Sequence, residues 1–499
     1  MKRVIIPVSA IAAFSLATSS FATTTTDTVS LTAFKKLERE VATLRAQVNQ
    51  KKNTKKIKHA KKMQHKYSVE AVKTSAPGAF KNPWAHFVTV TTTPFLGRGT
   101  DYDGDDLLFN LSSNNEDLRL LKQKQQLDNE MKADGYSLDR PVLQLSGAVE
   151  AQGYSYSGFS PGTTTSGLSL STAELDFNAI ASSWASAFMS TEFNGAPIST
   201  GNRAPNSTIY LSRGFATIGN LNRFPVYFTG GLMYVPFGRY ANDMVSTPLT
   251  QSLGRIRTPA ALLGFSLDNG LHGSVYGYSG SQTSGAQPVF KQWGADANYK
   301  YKFGTKNHIS FGGGWVSNIA DAQGQQNTGL STAMSQFGGF GVANAGTGLS
   351  NNNALVHAVD AADGHATVAF DRISLIGEYL SAIERYNTAD MTFNSVGAEP
   401  AAAHAEVDYL LPFFDRKYGT TLGLAYGHTS QALALNLPEN SYSVFVNTSI
   451  WRETTESLEF RHDTDYSNTT TASGRGATAN IVGTGRTRNS VLAQVGVYF

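Results

Sequence analysis

Arg239, Arg255 and Arg257 crowd into the polar stretch 237–259, and Arg475, Arg486 and Arg488 into a second polar stretch near the C-terminus. Guanidinium groups are planar, always charged and shaped to grip carboxylate or phosphate through paired hydrogen bonds. Clustered in loops, they suit the capture and guidance of anionic solutes, and these six are the candidate substrate-binding residues. With Arg203 and Arg385 they set eight arginines against Asp243, Asp321, Asp390 and Glu439 in the connections expected at one end of the fold. A basic mouth that concentrates anions is therefore expected. Contact with anionic lipopolysaccharide at a rim would use the same residues, and both readings stand at this point.

Other chemistries are weakly represented. Gly158-Phe-Ser-Pro-Gly162 has the spacing of a nucleophile elbow, but that device needs a strand-turn-helix, and here it sits in a loop beside a proline. Asp101-Tyr-Asp-Gly-Asp-Asp106 resembles a calcium loop with its glycine misplaced and no glutamate at the twelfth position, so an acidic turn is the reading. The ten histidines show no metal-ligand spacing, and the chain has no cysteine, which excludes disulfides, thiolate metal sites and thiol nucleophiles. No catalytic residue, metal ligand or cofactor is assigned, and the chain is not expected to be an enzyme.

The elements that must position the arginines are strands. Asn489 to Phe499 alternates, with Val491, Ala493, Val495, Val497 and Phe499 on an apolar face suited to lipid and Ser490, Gln494 and Gly496 on a face suited to water. From Pro141 onward about sixteen segments of roughly this kind follow one another. They lie near 142–154, 168–181, 184–194, 206–219, 225–236, 260–268, 271–280, 291–302, 307–318, 355–369, 373–384, 399–411, 419–429, 440–450, 455–465 and 488–499. Short turns such as 182–183, 268–270, 303–307 and 451–454 alternate with long loops such as 237–259, 319–354 and 466–487. An even strand number with this asymmetry predicts an all-β fold, a transmembrane antiparallel β-barrel over 141–499, in a bacterial outer membrane. In porins of this size the connection 237–259 commonly folds into the lumen, so it is the expected selectivity element.

Before the barrel, residues 1–22 have the basic start, short apolar run and small-residue exit of a signal peptide. Phe34, Leu37, Val41, Leu44 and Val48 form the seam of a short coiled-coil helix within 23–50, expected to help hold a homotrimer or else to pack on its own chain. Eight lysines between Lys51 and Lys66 mark residues 51–90 as a solvated periplasmic linker, and no nucleic-acid partner is expected. Residues 91–140 combine the acidic turn with a helix from Asn114 to Ala133, opened by the capping box Ser113-Asn-Asn-Glu116. That helix is either periplasmic or a partial plug in the lumen.

Several motifs carry a family likeness. Thr93-Pro-Phe-Leu-Gly97, Asp103-Gly-Asp-Asp-Leu-Leu108, Asn115-Glu-Asp-Leu-Arg-Leu-Leu121, Leu145-Ser-Gly147 with Glu150, and Tyr234-Val-Pro-Phe-Gly-Arg-Tyr240 resemble the LbtU-type siderophore porins. The resemblance implies a sixteen-stranded outer-membrane barrel that imports ferric siderophore of the polycarboxylate kind without the TonB system. The residues themselves also admit a general or phosphate-selective porin, and a structural or adhesive barrel.

Overall fold

A computed structural model describes residues 89–92, 114–133, 141–160, 162–194, 208–280, 290–303, 307–330, 336–341, 355–411, 420–451 and 454–499. The expected signal peptide, the coiled coil and the turn at Asp101–Asp106 lie outside the described residues, as does the Lys-rich linker apart from its last two residues.

Sixteen antiparallel strands close on themselves. They are β1 (Val142–Ser157), β2 (Thr164–Ile180), β3 (Ala185–Asn194), β4 (Thr208–Gly219), β5 (Val226–Tyr234), β6 (Arg257–Ser266), β7 (Leu271–Ser279) and β8 (Phe290–Phe303). The circuit continues through β9 (Asn307–Val316), β10 (Ala361–Phe370), β11 (Ile373–Ala382), β12 (Ala401–Leu411), β13 (Thr420–Ser430), β14 (Asn440–Thr448), β15 (Thr454–Thr464) and β16 (Thr487–Tyr498). Each strand pairs with its neighbour in sequence, and β16 pairs with β1 from Tyr498 opposite Ala148 to Ser490 opposite Tyr156. Closure leaves the ladder without a free edge, the condition for placing strands in hydrocarbon.

Alternation sorts the side chains as expected. Val491, Val495, Val497, Val407, Tyr409 and Tyr301 lie on the outer surface, whereas His404, Glu406, Asp408, Asn298 and Gln494 point inward and are buried. An outer face this apolar, on a barrel with a polar interior, is a surface for lipid. No helix among the described residues is long and apolar enough to cross a membrane.

The seam holds an element that the alternation did not indicate. Phe499 and Gly147 exchange both backbone hydrogen bonds, at 2.7 and 3.0 Å, and there β16 ends. The remaining edge of β1, Val142 to Leu145, is taken by the short strand Thr89–Thr92 running parallel to it. Gly147 lets the Phe499 ring lie over the junction, since a Cβ there would come within 2.6 Å of it.

Two helices matter for the interior: α1 (Glu116–Ala133) and α2 (Leu249–Gly254). Helix α1 begins two residues later than the capping box predicts. Asn115 adopts a left-handed φ of 52°, and the Asn114 side chain is used elsewhere, as described below.

Candidate functional site: the lumen

The connection between β5 and β6, residues 235–256, folds into the barrel and is tied to the wall across from its own strands. Inward-facing carboxylates on four strands receive its donors. Asp363 of β10 accepts from the Gly238 N–H at 3.0 Å. Glu378 of β11 accepts from the Arg239 and Tyr240 N–H groups at 2.6 and 3.0 Å, and from the Thr250 hydroxyl at 2.6 Å. Glu406 of β12 takes the Asp243 N–H at 2.6 Å, and Glu459 of β15 takes the Ser246 N–H and hydroxyl at 2.7 and 2.6 Å. Irregular backbone at membrane depth needs such partners, because its amides have no ladder to join. Phe237, Tyr240, Leu253 and Ile256 of the same loop are buried.

Asp363, His365 and Glu378 also bring donor atoms within 4.8 Å of one another, a spacing hidden from the linear sequence because two strands supply it. Those atoms are already engaged. His365 sits between Asp363 at 2.9 Å and Asn298 at 2.8 Å, and both Glu378 oxygens hold the loop. The cluster acts as a clamp.

Helix α1 fills the lumen from the short-turn end. The Asn114 amide donates to the Phe237 and Gly238 carbonyls at 3.0 and 2.7 Å, so the start of the helix segment meets the constriction loop. Leu118, Leu120 and Leu121 join a core with Phe188, Phe215 and Tyr227 of the wall. Farther along, Lys124 donates to the Gly219 carbonyl at 2.9 Å, and Leu127 and Met131 pack on Val142 and Ile180.

Arg213 of β4, 1% exposed, latches the helix to the wall. Its guanidinium pairs with Glu116 of α1 at 3.4 Å and with Glu174 of β2, and lies 3.7 Å from Asp176. On its other side it lies 5.9 Å from the Tyr234 ring, and Arg255 stacks on that ring at 4.5 Å. Tyr234, the last residue before the constriction loop, therefore lies between the helix latch and the loop cation.

Burial pushes the Asp117 carboxyl up to about 6 from 3.8, against the opposing hydrogen bond from the Leu118 N–H. Glu116 is raised too, burial outweighing Arg213 and Arg119. An acid that binds its proton more tightly when docked favours docking as pH falls, so this contribution is present at low pH and lost above about 6. Between pH 7.5 and 4.5 Asp117 alone strengthens docking by on the order of 2 kcal/mol. Lys124, held down to about 8 by burial, is mostly charged across this window and adds only a small opposing slope near its upper end. Hydrogen-exchange protection factors of the α1 amides are expected to rise as pH is lowered from 7.5 to 4.5. Asp117→Asn should reduce that rise; equal wild-type protection at both pH values would refute the linkage.

The geometry accompanies a close set of relatives. A Legionella pneumophila (strain Lens) UPF0422 protein is 36% identical over 489 residues, covering 93% of this chain and 89% of the relative. A Coxiella burnetii UPF0422 protein is 33% identical over 497 residues, 98% and 99% of the two chains. The chain belongs to the UPF0422 family. No family model matches the UPF0422 chain. Solved structures with a similar strand arrangement include an anion-selective porin from Comamonas acidovorans, at 11% identity and TM-score 0.45, covering 72% of this chain and 100% of that one. The Acinetobacter baumannii outer-membrane channel DcaP matches at 13% identity and TM-score 0.44, covering 72% and 97%.

The six arginines expected to bind solute fall into two groups in this UPF0422 barrel. Arg239 and Arg255 are half-buried on the lumen loop, and Arg257, 5.5 Å from the Tyr210 ring, starts β6 beside them. At the mouth, Arg475 is held by Asp390 at 2.8 Å and Arg488 by Asp463 at 2.8 Å, while Arg486 is exposed. The expected basic mouth is corrected here. Observed strand ends put Asp360, Glu384, Glu399 and Asp465 in the long loops and Arg257 and Arg488 in strands, so that among the described residues five arginines stand against eight acids there. Strand propensity alone extended those strands too far, because acids at a strand end read as lumen-facing. The elbow-like segment lies in the β1–β2 connection, with Ser160 exposed and no helix after it, as the sequence reading held.

Sequence reasoning missed Arg213 and the four clamp carboxylates. The clamp residues do alternate with apolar neighbours, which marks them as inward-facing, but nothing along the chain says what they hold.

Proposed function

We propose that this chain is a bacterial outer-membrane channel for small anionic solutes, with ferric siderophore of the polycarboxylate kind as its cargo and no TonB-type energising step. The observation that carries the reading is the loop 235–256, which brings Arg239 and Arg255 into the lumen and is fixed there by Asp363, Glu378, Glu406 and Glu459. Positive groups held rigidly at a constriction stabilise a passing anion without reorganising. The cargo comes from the LbtU-type resemblance, and ferric polycarboxylates carry the charge that such a lumen favours. A general anion-selective or phosphate-selective porin is the second reading, favoured by the same arginines and distinguished only by solute. In the proposed orientation the short-turn end and the N-terminal region face the periplasm, lipopolysaccharide surrounds the long-loop rim, and three copies assemble.

Reversal potentials in a salt gradient test the channel. Anion preference is expected in the wild type, and a fall of several-fold in Arg255→Ala/Arg257→Ala; unchanged selectivity counts against the arginines. Radioiron uptake with purified ferric siderophore tests the cargo. Normal uptake by a deletion strain would leave the general porin reading in place and remove the siderophore.

A further inference from the structure

Above α2, on the long-loop side of the constriction, lies an open pocket of about 370 Å³. Its walls come from three separated segments: the constriction loop at 247–255, the β9–β10 loop at 323–329 and the β13–β14 loop at 435–437. The close approach of the first two is built in. A Cβ on Gly324 would lie 1.9 Å from the Ser252 carbonyl, so only glycine lets the loop cross α2 there.

The lining has a definite chemistry. Arg255 is its single charged residue, and no carboxylate faces the pocket. The guanidinium is fixed in orientation by the Tyr234 ring, 4.5 Å away, and by its Nε–H, which donates to Gln323 Oε1 at 3.2 Å. Its terminal nitrogens make no hydrogen bond with the described residues, which leaves the forked end for a ligand. The acceptor oxygens of Gln323 and Asn327 are occupied, by Arg255 and by the Gly329 N–H, so their amide NH₂ groups are the ones on offer. Gln251 and Thr247 add further hydrogen-bonding groups, and Leu435 and Leu437 supply an apolar wall.

From this arrangement we infer a solute-binding site for a small carboxylate bearing several hydroxyl groups, of the sugar-acid or hydroxy-acid class. One guanidinium matches one carboxylate. A row of amides and a hydroxyl matches a polyol chain, and the leucines match its C–H face. A phosphate dianion would meet a single cation for its two charges and would leave the apolar wall of Leu435 and Leu437 unmatched. The volume is at the small end of the range for small-molecule pockets. The site deepens the anion-channel reading and rests on it for its place on the permeation route.

Binding is measured directly on detergent-folded protein by titration calorimetry, with sodium gluconate, glucose and sodium butyrate as probes. Gluconate is expected to bind at least 10-fold more tightly than either of the others, since each lacks one half of the match. Arg255→Gln should weaken gluconate about 10-fold and leave glucose unchanged. Gln251→Ala, a milder change on the loop, should weaken gluconate and leave butyrate unchanged. Retained far-UV strand signal and resistance to unfolding in dodecyl sulfate certify each variant. Gluconate binding no better than the other two probes, or equal in wild type and Arg255→Gln, overturns the site. Because this readout needs no current, it separates the two ideas: conductance without gluconate binding removes the pocket, and gluconate binding without conductance removes the channel.

Discussion

A chain lacking Asn114–Ala133 should conduct several-fold more current in planar bilayers than the intact protein. The helix occupies lumen volume between the constriction loop and the short-turn end, with Leu118, Leu120 and Leu121 packed on the wall and Asn114 bonded to the loop. Removing it replaces an apolar contact with water, the medium through which ions move. It also strands Arg213 beside Glu174 and Asp176, a cation that those acids continue to neutralise, so the barrel itself should persist. A second variant keeps the helix and loosens its hold on the loop. Asn114→Ala removes both bonds to the Phe237 and Gly238 carbonyls and should raise conductance part of the way toward the helix-deleted level. Equal conductance in the intact and helix-deleted chains would show that α1 leaves the ion path open.

Glu378→Ala is expected to release the first half of the constriction loop and to produce the largest loss of selectivity of any single substitution. The Glu378 carboxylate takes two backbone N–H groups and one hydroxyl from Arg239, Tyr240 and Thr250. Bonds to a charged acceptor contribute more than neutral ones, and loss of the acceptor leaves enclosed donors unpaired, a cost of roughly 2–4 kcal/mol in loop docking. Limited proteolysis should then cut within 235–256, and the reversal potential should approach that of a wide aqueous pore. Glu378→Gln is the discriminating control. Its remaining carbonyl oxygen still accepts the two N–H groups, and its NH₂ can donate to the Thr250 hydroxyl, so most of the clamp survives. If Ala and Gln variants are cut and conduct alike, the loop is held by its apolar residues and the carboxylate is incidental.

How much of this was written in the chain differs from part to part. The sixteen strands were legible because a barrel strand has one face in lipid and one in water, and that contrast repeats every second residue, as Ala405, Val407 and Tyr409 against His404, Glu406 and Asp408 show. The ends of strands were less legible. Acids such as Glu384 and Glu399 satisfy a lumen-facing position and a loop equally well.

Arg213 shows where alternation fails outright. Leu211 faces outward, and strict alternation would send Arg213 the same way. A β-bulge between the pairings of Arg213 with Ser190 and of Leu211 with Thr191 inserts Ser212 as an extra residue and turns Arg213 inward. That insertion exists only in the pairing with β3, so no reading of β4 alone could reveal it.

The sequence by itself determined the closed cylinder, its strand count, its lipid face and the loop that carries Arg239 and Arg255, because each follows from local periodicity and chain length. The tertiary structure alone decided that α1 lies inside, that four wall carboxylates clamp the loop, that Thr89–Thr92 fills the seam and that the long-loop rim carries more acids than arginines. The contacts behind them join residues about fifty to more than two hundred positions apart, as Thr89 with Val142, Asn114 with Phe237 and Ser246 with Glu459. Such contacts are set by the curvature of the closed sheet, which brings distant strands face to face across a few ångströms of lumen.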